Sequence, residues 1–152
     1  TDDGRGEPVG DVTVTGDGLR GTEVAGAEIP ALIDELPLVA VAGVFAEGVT
    51  EIREARELRV KETDRIAVMA RHLRAVGAEV AESEDGMRVS GPVQPGGARG
   101  LDSEGDHRMT MAMAVLATGA REPIELTNVA CVATSYPSFW DHMERLGGQV
   151  ER

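Results

Sequence analysis

Aromatic side chains are scarce in this chain. They make up 3% of its 152 residues: one tryptophan, one tyrosine and two phenylalanines. The hydrophobic fraction is still 41%, so the core must be built from alanine, valine, leucine, isoleucine and methionine. At 16.0 kDa the chain fits one domain, and a domain of this size can bury a core of its own.

Cysteine and long apolar runs are the next shortages. Cys131 is the only cysteine, which excludes an intramolecular disulfide and a cysteine-built metal site. The three histidines lack the ligand spacing of a zinc site. No apolar run is long enough to span a membrane and no signal peptide precedes the polar start, so we expect a cytoplasmic protein.

Positive charge is also in short supply. The 15 lysine and arginine residues stand against 27 acidic ones, which gives a net charge of −12. Bulk electrostatics therefore argue against nucleic acid or an anionic membrane as a partner. Any anionic ligand would need a local cationic pocket.

Lysine is the rarest cation, because Lys61 is the only one beside fourteen arginines. A bias against lysine accounts for the scarcity. It does not explain why the one lysine lies between Arg59 and Arg65 and close to two carboxylates. Lysine is a compact ammonium with a tunable pKa, whereas arginine is a planar fork that stays charged. Lys61 is therefore a candidate for chemistry.

Hydrophobic periodicity and glycine punctuation predict an α/β chain. Short strands are expected over 8–29, among them 11–15. A helix is expected over 30–47, although Pro37 and Gly43 argue against one unbroken run. The other elements predicted before residue 92 are a strand at 49–53, a helix at 63–76 capped by Thr63 or Glu62, and a hairpin of 79–81 and 87–89.

The pattern then restarts after a loop, 93–105, that is rich in glycine and proline. Residues 142–150 echo 72–80, and repeats of this kind stack on a shared core. We therefore predict repeated βαβαββ units, 8–92 and 106–152, with helices inside and sheets outside. The elements predicted for the second unit are a helix at 106–118 with Asp106 as its N-cap, a strand at 124–127, a helix at 136–146 and a strand from 149.

Three charged clusters lie at predicted helix starts, at 33–37, 59–65 and 106–109. Unpaired N–H groups and the positive end of the helix dipole favour an anion at such places. Taken singly, each cluster is more typical of a capped or solvated helix start than of a catalytic site.

Side-chain chemistry gives the clusters a second interpretation. Lys61 and Arg65 strengthen the attraction for an anion, and Glu62 supplies a proton-transfer group whose pKa its neighbours can tune. Arg108 can grip a carboxylate through two parallel hydrogen bonds. Both interpretations remain open from spacing alone.

The two later clusters occur in order on one repeated scaffold, and together they resemble a known family. Arg59-Val-Lys-Glu-Thr-Asp-Arg65, followed by Asp106-His-Arg-Met109, is similar to the C-terminal part of 3-phosphoshikimate 1-carboxyvinyltransferase, or EPSP synthase. The resemblance extends from Ile29 to Pro137. It implies transfer of the enolpyruvyl group from phosphoenolpyruvate to the 5-hydroxyl of shikimate 3-phosphate with release of phosphate, in the two-domain inside-out α/β barrel fold, without metal or organic cofactor.

The resemblance also implies the parts played by individual residues in proton transfer. Asp34 is expected to contact the shikimate hydroxyls and to act as base at the 5-hydroxyl. Glu62 resembles the group that exchanges a proton with the phosphoenolpyruvate methylene. Lys61 resembles the lysine that binds in the cleft to a hydroxyl of the shikimate ring and to the charge on its carboxylate side. How Asp34, Glu62 and Lys61 divide the acid and base steps is left open.

Other residues are implied to bind anions. Arg65 and Arg108 match the arginines that grip the phosphoenolpyruvate carboxylate, with His107 beside them. Many relatives carry a lysine that helps to bind phosphate where this chain has Thr134. Thr134 is therefore only a candidate phosphate contact, and the motif does not establish sensitivity to glyphosate, which occupies the phosphoenolpyruvate site in the family.

Family members are implied to be well over twice this length, with two domains of three units each. The chain is expected to hold about two units of one domain and to need the missing N-terminal domain, which holds most of the residues for the phosphate of shikimate 3-phosphate. We expect the chain alone to be inactive, or to bind phosphoenolpyruvate weakly. The alternatives are the related UDP-N-acetylglucosamine enolpyruvyl transferase, whose usual reactive-cysteine loop is lacking here, and a non-catalytic complementing fragment or binding module.

Overall fold

Helices lie at the centre of the structure, a computed structural model that describes residues 10–151. The six strands are β1 Glu23–Val24, β2 Gly48–Ile52, β3 Glu79–Ser83, β4 Gly86–Gly91, β5 Ala98–Asp102 and β6 Ile124–Thr127. The α-helices are α1 Ile29–Leu32, α2 Leu36–Phe45, α3 Arg65–Ala75, α4 His107–Ala117, α5 Val132–Ser135 and α6 Phe139–Arg145. Short 3₁₀ turns cover Gly26–Glu28, Arg56–Val60 and Val129–Cys131.

The first unit has the predicted βαβαββ order. Its sheet runs β1-β2-β4-β3, with β1 parallel to β2 and with antiparallel pairing between β2 and β4 and within the β3–β4 hairpin. Strand residues alternate between the two faces of a sheet, and Ile52, Met87 and Val89 are buried on the face toward the helices. The hairpin prediction is confirmed.

The segment 93–105, predicted as a loop, contains a strand. This strand, β5, pairs in parallel with β6 through an irregular register. Glycine and proline favour loops locally, but pairing with a neighbouring strand outweighs such preferences. Gly100, with a φ of 65°, lies within the irregular part of β5. A parallel β–α–β start is thus common to both units.

Two predicted strands are absent from the described residues. The alternating segment 11–15 is irregular, and Val12 and Val14 are each 87% exposed. Alternation alone cannot hold a strand that has no neighbour to pair with. Residues 8 and 9 of the predicted strand region lie outside the described part. Residues 149–151 are likewise not in a sheet. In the first unit β3 is held by pairing with β4, whereas no described strand lies beside residues 149–151.

Helix boundaries follow proline and capping residues. The predicted helix over 30–47 is two helices, and Pro30 and Pro37 each lie in a first turn, where the missing N–H removes no helical bond. Asp64, not Thr63 or Glu62, caps α3, because its side chain accepts from Ala67 N. The predicted N-cap of α4 is confirmed. At the C-terminal end, α6 starts three residues later than predicted, and α5 was missed.

The core confirms the prediction of helices inside and sheets outside. Helices α2, α3 and α4 pack on one another, the four-stranded sheet covers α2 and α3, and β6 and α5 pack on α4. None of the described helices is long and apolar enough to cross a membrane. The fully buried side chains between the layers include Val44, Ile66, Met69, Leu73, Met109, Met113 and Leu116.

Candidate active site

Three helix starts meet at one end of the helical core. Asp34 lies in the turn between α1 and α2, where Pro37 interrupts the helix. Arg65 is the first residue of α3, and Asp106 caps α4. Ion pairs join these residues across the three elements, so the three charged clusters of the sequence form one site.

Arg65 is the hub of this site, with a side chain only 2% exposed. Its guanidinium donates from Nε to Asp106 Oδ2 at 2.7 Å, from Nη1 to Asp34 Oδ1 at 3.0 Å and from Nη2 to Glu62 Oε2 at 2.6 Å. Burial alone would lower the pKa of Arg65. The hydrogen bond and charge of Asp106, with the further carboxylates, raise it instead, so the buried cation stays charged.

Asp34 bridges the two arginines that the sequence singled out. While Oδ1 accepts from Arg65, Oδ2 accepts from Arg108 Nη2 at 2.9 Å, and the Asp34 carbonyl accepts from Arg108 Nη1 at 3.1 Å. Burial raises the pKa of Asp34, but the hydrogen bond from Arg65 and the charges of Arg108, Arg65 and Lys61 lower it further, and the net pKa lies below its usual value. Asp34 is therefore an ionised carboxylate held between two guanidiniums.

Asp106 does more than cap a helix. Its Oδ1 accepts from the backbone N–H of Arg108 at 2.8 Å and of Met109 at 3.4 Å, while Oδ2 accepts from Arg65. The side chain is fully buried. Sequence reasoning identified the cap but missed the ion pair with Arg65, because no local pattern connects two residues that are 41 positions apart.

Lys61, Glu62 and His107 surround this cluster. Lys61 pairs with Glu57, one helical turn earlier, and its charge is among those that lower the pKa of Asp34. Glu62 has a half-exposed side chain that reaches Arg65. His107, half-buried, is the first residue of α4 and lies between Asp106 and Arg108 in the chain. Six of the seven residues proposed for the site thus lie on three adjoining helix starts.

The fold agrees with what comparisons with known proteins find. The family of EPSP synthase (3-phosphoshikimate 1-carboxyvinyltransferase) matches residues 5–143. The chain belongs to this family. Among curated EPSP synthase relatives, the 3-phosphoshikimate 1-carboxyvinyltransferase of Syntrophotalea carbinolica is 52% identical over 136 residues, or 90% of this chain and 31% of its own length. That of Salinibacter ruber is 48% identical over 142 residues, or 92% of this chain and 33% of its own length.

Solved structures give the same result. An EPSP synthase from Acinetobacter baumannii superposes with a TM-score of 0.84 at 34% identity, covering 88% of this chain and 32% of that one. The enolpyruvyl transferase NikO from Streptomyces tendae superposes with a TM-score of 0.65 at 28% identity, covering 87% of this chain and 29% of that one. The chain therefore spans about a third of the length of the EPSP synthases that it matches.

Thr134 is the predicted site residue that does not join the cluster. It lies on α5, with an exposed side chain, and its hydroxyl donates to the carbonyl of Cys131 at 2.6 Å. A phosphate needs donors, and this donor is used within its own turn. Nearby, the half-buried Cys131 lies 3.6 Å from the hydroxyl of Thr110, so it packs against α4 and not against the arginines.

A site that binds anions was expected to be a cationic pocket, but in this chain the cations of the site are paired with carboxylates. The ion pairs of the cluster join three cations, Lys61, Arg65 and Arg108, to the carboxylates of Asp34, Glu35, Glu57, Glu62 and Asp106. Within residues 10–151 the expected cationic pocket is thus already neutralised by the chain's own acids. Over the same residues, no three His, Cys, Asp or Glu side chains are grouped to hold a metal ion.

Proposed function

We propose that this chain supplies the phosphoenolpyruvate-binding part of an EPSP synthase active site. The reaction would transfer the enolpyruvyl group of phosphoenolpyruvate to the 5-hydroxyl of shikimate 3-phosphate. The observation that carries the proposal is the Asp34 carboxylate held between Arg65 and Arg108. A carboxylate already fits between these guanidiniums, so the pair offers the geometry that a substrate carboxylate needs.

Binding of phosphoenolpyruvate would then be an exchange of carboxylates. The substrate carboxylate takes the Nη groups of Arg65 and Arg108, with His107 beside them, and Asp34 turns toward the hydroxyls of shikimate 3-phosphate. Arg65 Nε remains bonded to Asp106, which keeps the guanidinium in place during the exchange. Lys61 faces the shikimate side, and its charge favours the ionised form of Asp34 there.

The chemistry needs one acid and one base on opposite sides of the reacting carbons. In the addition step, Glu62 delivers a proton to the methylene carbon of phosphoenolpyruvate. The 5-hydroxyl oxygen attacks the neighbouring carbon, and Asp34 accepts the hydroxyl proton. In the elimination step, the Glu62 carboxylate takes back a proton from the new methyl group, the carbon–oxygen bond to phosphate breaks, and phosphate departs with the bonding electrons. Lys61 is the alternative proton carrier for either step.

The remaining assignments extend this proposal. Thr134 is at most a weak phosphate contact, because its hydroxyl is bonded within α5. The missing N-terminal domain would supply the grip on the phosphate of shikimate 3-phosphate, which is consistent with the third of its relatives' length that this chain spans. The division into units 8–92 and 106–152 and the cytoplasmic location remain predictions.

A chimera tests the proposed activity. Residues 10–151 would replace the matching third of the Acinetobacter baumannii EPSP synthase, and phosphate release would be measured with both substrates. We expect turnover in the chimera and none from the 152-residue chain by itself. Replacing Arg108 by lysine should lower turnover by roughly a hundredfold, since one ammonium cannot form the paired bonds of a guanidinium. Arg88→Lys, on the distant β4, is the matched control.

Three results would contradict the proposal or its alternatives. A folded chimera without phosphate release would refute the assigned activity, and folding would be checked by its thermal melt. Turnover by the 152-residue chain alone would refute the expectation that it is inactive, and with it the reading as a non-catalytic fragment or binding module. Phosphate release with UDP-N-acetylglucosamine instead of shikimate 3-phosphate would establish the alternative acceptor, which the family match argues against.

A further inference from the structure

Arg59 belongs to the motif that contains Lys61, Glu62 and Arg65, but it has no role in the proposed reaction. Its side chain is 23% exposed and makes four hydrogen bonds. Nη1 donates to Asp64 Oδ2 at 2.8 Å and Nε to the carbonyl of Glu84 at 2.6 Å. Nη2 donates to the carboxylate of Glu82 at 2.9 Å and to the carbonyl of Ser83 at 2.6 Å.

These bonds tie two separate segments together. Glu82, Ser83 and Glu84 lie at the end of β3 and in the hairpin turn that follows it. Asp64 lies at the start of α3. The hairpin is part of the four-stranded sheet, so Arg59 fastens the start of α3 to the most regular layer of the molecule.

Asp64 carries this attachment to the site. Its Oδ1 caps α3 by accepting from Ala67 N at 3.0 Å, while its Oδ2 accepts from Arg59. Arg65 follows directly as the first helical residue. Lys61 and Glu62 lie in the short loop between Arg59 and Asp64, which the Arg59–Asp64 ion pair closes at both ends. One contact therefore restrains all three residues of the motif that face the proposed substrates.

We propose that Arg59 is a positioning residue for this site: through Asp64 it fixes the start of α3 and the loop that presents Lys61 and Glu62. The proposal rests on the proposed function for its consequence in ligand binding. Only arginine suits the position, because its planar fork donates in several fixed directions, whereas the lysine ammonium is a single point of charge. Lysine would keep the charge and lose most of the four bonds.

Arg56 provides a matched control, because it lies in the same 3₁₀ turn as Arg59 and pairs with the same hairpin. It pairs with the Glu84 carboxylate at 3.0 Å, and both side chains are 76% exposed. Exposed pairs of this kind contribute little to stability. The ion pair of Arg56 is with Glu84 and not with Asp64, so replacing Arg56 tests the loss of an ion pair to the hairpin without loss of the link to α3.

The experiment compares Arg59→Lys and Arg56→Lys in the full 152-residue chain. The ligand-free readout is the NMR signal of the Arg65 Nε–H, which the bond to Asp106 shields from solvent exchange. The second readout is the dissociation constant for phosphoenolpyruvate. We expect Arg59→Lys to shift the Arg65 signal, to speed its exchange and to weaken binding by roughly three- to tenfold. Arg56→Lys should change neither readout.

The outcomes separate a positioning effect from general destabilisation. An Arg65 signal in Arg59→Lys that matches the parent chain would overturn the proposal, even if the melting temperature falls. Failure of the parent chain to bind phosphoenolpyruvate would count against the proposed function of this segment, and the Arg65 signal would still decide the part played by Arg59.

A second variant covers the case in which Arg59→Lys does not fold. Asp64→Asn keeps an oxygen for the helix cap, since asparagine is a good N-cap, but loses the charged partner of Arg59. We expect Asp64→Asn to shift the Arg65 signal in the same direction as Arg59→Lys. The double variant should shift the Arg65 signal no further than either single variant does. Additive effects in the double variant, or no shift in Asp64→Asn, would show that Arg59 does not act through Asp64.

Discussion

Asp34 occupies the place between two arginines that the proposal gives to a substrate carboxylate. Its ionised form is favoured by Arg65 and Arg108, so an incoming anion must compete with it. Asp34→Asn removes the competing charge while keeping the size of the side chain. We expect the variant chain to bind phosphoenolpyruvate roughly three- to tenfold more tightly, because the ion pairs of Asp34 with Arg65 and Arg108 no longer compete with the ligand. The chimera that carries the variant should lose turnover.

Titration calorimetry of the 152-residue chain measures the first effect, and phosphate release by the chimera the second. Asp17→Asn, an exposed substitution before β1, is the control. Weaker binding by Asp34→Asn would show that Asp34 mainly orients the arginines and does not compete with the ligand.

His72 is a second residue whose environment makes a prediction. It is 2% exposed on α3, and burial and the charge of Arg71 lower its pKa, while the nearby Asp102 and Glu104 offset only part of this effect. The unfolded chain therefore binds the histidine proton more readily than the folded one. Stability should fall as the pH drops from about 6.5 toward the lower folded pKa, and this loss should be absent above that window.

Urea unfolding at about pH 7.5 and about pH 5.5 measures this dependence. His72→Gln should be less stable at both values but should show a smaller difference between them. His142→Gln, which replaces a histidine bonded to Tyr136 near the surface, is the control for loss of an imidazole elsewhere in the chain. An unchanged pH dependence in His72→Gln would assign the effect to carboxylates instead.

At the scale of elements, Gly43 explains why a helix tolerates glycine. Gly43 lies in α2 against β2, and a Cβ there would come within 2.8 Å of Thr50 Cβ. Alanine favours a helix by about 1 kcal/mol over glycine, but overpacking a closed contact costs about 1–3 kcal/mol. We expect Gly43→Ala to destabilise the chain by about 1 kcal/mol in chemical unfolding.

Gly16→Ala is the control, because nothing lies within 4 Å of the added carbon. It should leave the unfolding free energy within about 0.5 kcal/mol of the parent. A Gly43→Ala variant more stable than the parent would mean that α2 and β2 separate easily at this contact.

The elements also show which features local sequence patterns predict. Pro37 and Asp106 act within a few residues, and the break before α2 and the start of α4 follow from them. Strand β5 depends on β6, and Thr63 donates to Glu104, a residue 41 positions away with a left-handed φ of 53°. Thr63 was expected to cap α3 and instead joins the second unit to the first. Contacts of this range have no local signature.

The candidate site divides in the same way. Residue types and helix-start positions made Lys61, Glu62, Arg65 and Arg108 candidates, but only the family resemblance favoured a substrate site over capped or solvated helix starts. The bridge formed by Asp34 was not predictable from spacing, because it needs three helices to pack with their starts together. The family resemblance implied that Asp34 belongs to the site, but not that it lies between the arginines.

At the scale of the whole molecule, charge acts in two opposing ways. Because the chain has a net charge of −12, its acidic side chains repel one another in the folded state, and salt screens this repulsion. In the proposed function, an anion displaces Asp34 and pairs with Arg65 and Arg108, and salt screens this attraction too. Raising the ionic strength from about 0.02 M to about 0.3 M should therefore raise the melting temperature while weakening phosphoenolpyruvate binding.

Thermal melts and titrations at the two salt concentrations check the predicted rise in melting temperature and the predicted loss of binding. A neutral osmolyte is the control for general solvent exclusion. The osmolyte should raise the melting temperature without the loss of binding. A melting temperature that falls with salt would mean that the ion pairs around Arg59 and Arg65 contribute more to stability than self-repulsion removes. Because those pairs lie within 3.0 Å and are partly or fully shielded from solvent, salt should screen them less than the dispersed surface charge, and we expect repulsion to dominate.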